Sequence, residues 1–105
     1  AALPAWVTAR MDNVIVTAAP WPSAAQRERA RRDGMLLGLY EGVPLSRRGR
    51  GYHLAPPDRI TLFREALCWL AADEQDLVRL IQRTIAHEIG HHFGMSEEEL
   101  RAAGV

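Results

Sequence analysis

A chain of 105 residues has the length of one compact domain, typically about 100–150 residues, and residues 1–105 read as one. Thirteen basic residues balance thirteen acidic ones, which argues against nucleic-acid or anionic-membrane binding by bulk charge. The apolar fraction of 48% and charged fraction of 25% are ordinary globular values. No apolar run nears the ~20 residues of a membrane helix, so no membrane partner is expected. All thirteen basic residues are arginine, which a GC-rich genome would explain. The single Cys68 excludes an internal disulfide framework and fits a reducing, cytoplasmic compartment. A first residue of Ala1 rather than Met points to a trimmed or processed leader.

In chain order, Leu3, Val7 and Met11 stand at helical spacing and hint at a short helix. The β-branched run Asn13–Ala18 reads as a strand, stopped by Pro20-Trp21-Pro22. Ser23 is placed to cap an Arg-rich helix through about Asp33, ended by Gly34. Its Arg27, Arg29, Arg31 and Arg32 read as a solvated face. Met35–Glu41, apolar and flanked by Gly34 and Gly42, reads as a second strand. Gly42–Pro57 is rich in Gly and Pro and reads as loop. Its Arg47, Arg48 and Arg50 suit a flap or a solvated turn. Arg59–Arg64 alternates Ile60 and Leu62 with Thr61 and Phe63, a strand of period two. Glu65–Ala72 reads as a short helix whose Cys68 is a buried, inert thiol.

The strongest pattern runs from Asp73 to Phe93. Asp73, Glu74 and Asp76 suit the positive end of a helix dipole. Val78, Ile81, Ile85 and Ile89 repeat at i+3 and i+4 as a core-facing stripe. Gly94 is placed to end the helix. Ser96 and Glu99 then have capping-box spacing, opening a last helix toward Ala103.

That long helix carries His87-Glu88-Ile89-Gly90-His91. Residues four apart share a face, so both imidazoles can address one metal ion. Glu88, rotated by about 100°, flanks the metal and suits a base taking a proton from metal-bound water. Ile89 falls opposite, on the buried stripe. A catalytic zinc usually has three protein ligands and an open fourth position. Gly94 lets the chain reverse, so Glu97 can return over the metal as the third ligand, with Glu98 the runner-up. The string His-Glu-x-x-His-x-x-Gly-x-x-Glu has metzincin spacing with Glu for the third His. Glu99 reads as the capping partner of Ser96, and His92 as a packing or hydrogen-bonded neighbour. Phe93 and Met95 read as core. Tyr40, Tyr52 and His53 are candidates to stabilise an oxyanion.

From Met11 to Gly104 the chain closely resembles the small bacterial zincin-like metallopeptidases, or minimal zincins. The resemblance rests on Met11–Val16, Leu37-Gly38-Leu39-Tyr40-Glu41-Gly42-Val43-Pro44-Leu45, Pro57–Arg64 and His87–Gly94. It implies an α+β fold, a small mixed sheet of three or four strands packed on the active-site helix. It also implies zinc held by His87, His91 and the acid three residues after Gly94, which is Glu97. So short a fold lacks most of the second subdomain that normally walls a zincin's cleft. The expected activity is zinc-dependent hydrolysis of peptide bonds in a peptide or protein substrate, by a monomer with Glu88 as general base. The substrate would align on an edge strand, either Met35–Glu41 or Arg59–Arg64. Two alternatives use the same residues: a non-catalytic zinc-containing binding module on a zincin scaffold, and a metalloenzyme acting on a non-peptide bond.

Overall fold

The computed structural model describes residues 3–30, 35–42 and 57–105. Its elements are α1 (Ala5–Thr8), β1 (Val14–Ala19), α2 (Ala24–Ala30), β2 (Gly38–Glu41), β3 (Asp58–Phe63), α3 (Arg64–Leu70), α4 (Glu74–His92) and α5 (Glu97–Ala102). The class is α+β, as expected. Among the described residues none forms a helix long and apolar enough to cross a membrane.

Among the described residues three strands form one mixed sheet in the order β1-β3-β2. β1 runs parallel to β3, with Val14 opposite Asp58 and Ala19 opposite Phe63. β2 runs antiparallel to β3, with Gly38 opposite Leu62 and Glu41 opposite Arg59. Among the described residues the central place therefore belongs to β3, so Arg59–Arg64 offers no edge, while β2 lies at one. The expected two-residue alternation in β3 holds as an alternation of faces, but both faces are covered, and Thr61 and Phe63 are buried along with Ile60 and Leu62. Ile60 and Leu62 pack toward the long helix with Val7, Leu67, Ile85, Ala86 and Ile89. Phe63 packs instead in a second cluster with Leu36 and Ala66. A central strand covered on both faces buries consecutive side chains, so its apolar run is continuous.

Local rules place the helix ends. Asp73 caps α4 by accepting a hydrogen bond from the Asp76 amide at 2.8 Å. The Asp76 carboxylate accepts from the Ala72 amide and from Arg79, and those bonds, the backbone one foremost, hold its carboxyl below the ordinary value. Ser23 caps α2 reciprocally with Gln26. The residues expected to extend α2, Arg31 to Gly34, lie outside the described residues, as does most of the expected loop (43–56). The expected stripe on α4 is borne out at Ile81, Ile85 and Ile89 and fails at Val78. Val78 is exposed, while Leu77, Leu80 and Ile81 join the core margin and Ile85, Ala86 and Ile89 its centre. In α3, Ala66 and Leu67 take the buried face, which leaves Cys68 exposed rather than buried.

Where α5 docks on α4, a Cβ at Gly90 would fall on the Leu100 side chain, well inside van der Waals contact. Leu100 is fully buried and holds the end of the chain against α4. Leu100→Ala is expected to lower stability by about 2–4 kcal/mol, measured by urea unfolding. A loss under ~1 kcal/mol would show that α5 is not packed as described.

Candidate metal centre

His87 and His91 stand one helical turn apart near the end of α4, with ring centroids 4.6 Å apart at 73°. Beyond His92 the helix stops, Gly94 takes φ +90° and the chain reverses. Ser96 then starts α5 with a complete capping box, its hydroxyl accepting from the Glu99 amide and its own amide donating to the Glu99 carboxylate. Hydrogen bonds that the Glu99 carboxylate accepts from Ser96, from its backbone amide first and then from its side chain, hold that carboxyl below its ordinary value. Glu99 is thereby occupied as the cap. The next residue after Ser96 is Glu97, and the reversal turns its carboxylate back over the two imidazoles.

The three side chains converge. Glu97 Oε1 lies 2.8 Å from His91 Nε2 and 3.3 Å from His87 Nε2, and the two Nε2 atoms are 3.1 Å apart. A tetrahedral metal with bonds of about 2.0–2.1 Å keeps its ligand atoms roughly 3.3 Å apart. His87, His91 and Glu97 therefore form a donor cluster of the size and chemistry that a metal ion requires. Glu98 is exposed and stands outside the cluster. The hydrogen bond with His91 is the main reason that the Glu97 carboxyl sits below its ordinary value; desolvation opposes it, and the charges of His87 and His91 add to it. Glu97 is thus an anion at neutral pH, the form that can ligate a cation.

Glu88 faces the sheet. Its Oε1 accepts a 2.9 Å hydrogen bond from the backbone amide of Tyr40 in β2. The Tyr40 side chain is committed elsewhere: its ring stacks on His92 at 3.8 Å and its hydroxyl donates to Asp58 Oδ2 at 2.7 Å. Tyr40 is therefore corrected from a candidate oxyanion donor to a tie between β2, β3 and the end of α4. His92 has the packing role expected of it. Tyr52, His53, Arg47, Arg48 and Arg50 lie outside the described residues. Phe93, expected in the core, is 52% exposed, with the Arg10 guanidinium over its ring at 5.6 Å. Met95 is half-buried. In α2, Arg27 and Arg29 are exposed as expected, and Arg29 is ion-paired to Glu41.

Two hollows flank this centre and share Gly38 and Glu88. One, of about 210 Å³, lies on the His87 side beside Leu80, Arg83 and Thr84. The other, of about 440 Å³, lies on the His91 and Glu97 side beside Arg29 and Leu39. Sequence reasoning missed the Tyr40 amide, Arg83 and Thr84. Gly38 between Leu37 and Leu39 was the available signal, since glycine within a strand often marks close backbone approach. A Cβ there would stand 2.7 Å from Thr84 Cγ2.

A terminal His-Glu-x-x-His helix, an acid on the returning chain and a short mixed sheet beside them define a zincin. The chain belongs to the zincin-like metallopeptidase family, whose model matches residues 11–105. No curated protein matches it.

The Tyr40 hydroxyl bond is open to direct measurement. Tyr40→Phe keeps the ring stack and is expected to lower stability by about 1 kcal/mol in urea unfolding. Unchanged stability would remove the Tyr40–Asp58 bond as a tie.

Proposed function

We propose that this chain is a zinc-dependent peptidase in which His87, His91 and Glu97 hold the metal and Glu88 is the general base. The observation that carries this reading is the convergence of three donor atoms at 2.8–3.3 Å, with a fourth group, Glu88, fixed beside them by the edge strand. Two imidazoles and a carboxylate are the donor set of catalytic zinc sites that keep an open position. Bound zinc would supply Lewis acidity and an acidified water.

The chain's own residues account for the remaining steps. Contacts of α4 with β2 run in step: Gly38 meets Thr84, Tyr40 meets Glu88 and Gly42 meets His92. The Phe63 amide donates to the Leu37 carbonyl, so by antiparallel alternation Leu37, Leu39 and Glu41 point their backbone groups at β3. Gly38 and Tyr40 point theirs outward. The Tyr40 amide holds Glu88, and the outward-pointing Gly38 backbone is placed to pair with an extended peptide. Glu88 then takes a proton from the attacking water and returns it to the leaving amine. The Tyr40 bond to that carboxylate fixes which way it points during the transfer.

This reading takes residues 1–105 as one domain and has the protein act as a monomer on peptide or protein substrates in a reducing, cytoplasmic compartment, which the free Cys68 suits. A purely structural zinc centre is usually closed by four protein ligands and has no use for a carboxylate held beside it, which disfavours a non-catalytic module.

Two outcomes are expected. Protein purified without chelator carries one zinc per chain by elemental analysis, and His91→Ala loses it; stoichiometric zinc in that variant would refute the ligand assignment. Glu88→Gln keeps zinc and fold but loses hydrolysis of a peptide library by at least about 100-fold; undiminished cleavage would remove Glu88 as the base.

A further inference from the structure

The hollow on the His87 side combines two chemistries. Met35, Leu37, Leu80 and Val105 give it apolar walls, and Arg83 and Thr84 add polar groups. About 210 Å³ is below the roughly 300–1,000 Å³ of pockets for drug-sized ligands, so it suits a side chain or two rather than a whole small molecule. The Thr84 hydroxyl is committed to the Leu80 carbonyl at 2.7 Å. Arg83 is different: it forms no ion pair among the described residues. By contrast Arg79 is bound to Asp76 and Arg29 to Glu41. Arg83 also borders a second, outer hollow that Asp76 lines, and its charge is felt there, but the Asp76 carboxylate is already engaged by Ala72 and Arg79.

Direction follows from the strands. β2 and α4 run in step, from Gly38 beside Thr84 to Gly42 beside His92. A peptide pairing antiparallel to β2, the slightly more stable mode, runs the opposite way. Its part after the scissile bond then lies toward Thr84, Arg83 and Leu80. Arg83 precedes His87 by one helical turn, about 6 Å, the span of roughly two residues of extended chain.

We propose that this hollow is a carboxylate-selective substrate subsite, in which an apolar side chain following the scissile bond meets the Met35, Leu37, Leu80 and Val105 walls and Arg83 binds a carboxylate within two residues of that bond. The proposal rests on the peptidase reading for its orientation and deepens it by naming the substrate class. The carboxylate is either the free end of a short peptide or an Asp or Glu side chain. Guanidinium recognises both through the same paired N–H donors.

The test is calorimetric titration of the zinc-loaded Glu88→Gln protein, which binds without turnover. The probes are Ala-Ala-Leu-Ala with a free carboxylate, the same peptide amidated, and amidated Ala-Ala-Leu-Glu-Ala and Ala-Ala-Leu-Lys-Ala. A carboxylate-bearing peptide is expected to bind about 10-fold tighter than its neutral counterpart. Adding Arg83→Gln should erase that gap while one zinc per chain is retained. Preference for the free-carboxylate peptide identifies the chain end as the ligand, and preference for the Glu peptide identifies a side chain. Equal affinities, a gap that survives Arg83→Gln, or no binding of any probe would overturn the subsite. Cleavage of the same peptides by the unsubstituted protein separates the two readings. Arg83-dependent binding without cleavage would leave the subsite and remove the peptidase, and cleavage indifferent to the carboxylate would do the reverse.

Discussion

The site depends on how closely α4 lies against β2. Gly38 has no side chain to hold the helix away, and Thr84 Cγ2 occupies the space that a Cβ would need. Farther round the same helix, Ile85, Ala86 and Ile89 pack with Ile60 and Leu62 of the central strand. Close packing of this kind tolerates little movement. It fixes both the rotation of α4 and its height against the strand. Rotation decides that His87 and His91 face away from the core, and height decides that Glu88 meets the Tyr40 amide.

Two carboxylates on neighbouring segments thereby acquire different surroundings. Glu97 is exposed on the first turn of a short helix, and its oxygen is drawn toward two imidazoles. Glu88 is half-buried and held by a backbone amide from the sheet edge. An acid that can relax toward a cation suits a ligand, whereas one with a fixed direction suits proton transfer. The assignment of roles thus follows from which element restrains each carboxylate. The Tyr40 ring, stacked on His92 and tied to Asp58, restrains the strand in turn, so the edge that would receive a peptide is also the edge that orients the base.

What could be read in the sequence was local. The Asp73 cap, the Ser96–Glu99 box and the His87–His91 spacing each involve residues within four positions, where backbone geometry alone determines who meets whom. The zincin class was legible for the same reason, helped by the Leu37–Leu45 run. What failed depended on which layer covers which face. Cys68 sits among apolar residues, Val78 at helical spacing from Ile81 and Ile85, and Phe93 is itself a large apolar side chain, yet no element of the described fold buries them. Arg59–Arg64 has an edge strand's alternation but lies between two partners. Tyr40 looked free to serve an oxyanion because its partners, Asp58 and His92, are remote in sequence.

The flanking hollows bear on how this zincin could select a substrate. Here the described walls come from the helix itself, from the segment entering β2 and from Val105. One turn of α4 before the metal ligands contributes Leu80, Arg83 and Thr84, so the element that would hold the metal would also read the substrate. Selectivity built this way is economical but narrow. An arginine without an ion pair beside apolar side chains distinguishes charge strongly and shape weakly, because a buried methylene is worth only about 0.8 kcal/mol while a misplaced charge beside a guanidinium is opposed outright. A peptidase so constructed would therefore choose among ends and acidic neighbours of a cut site more sharply than among the apolar residues that fill it.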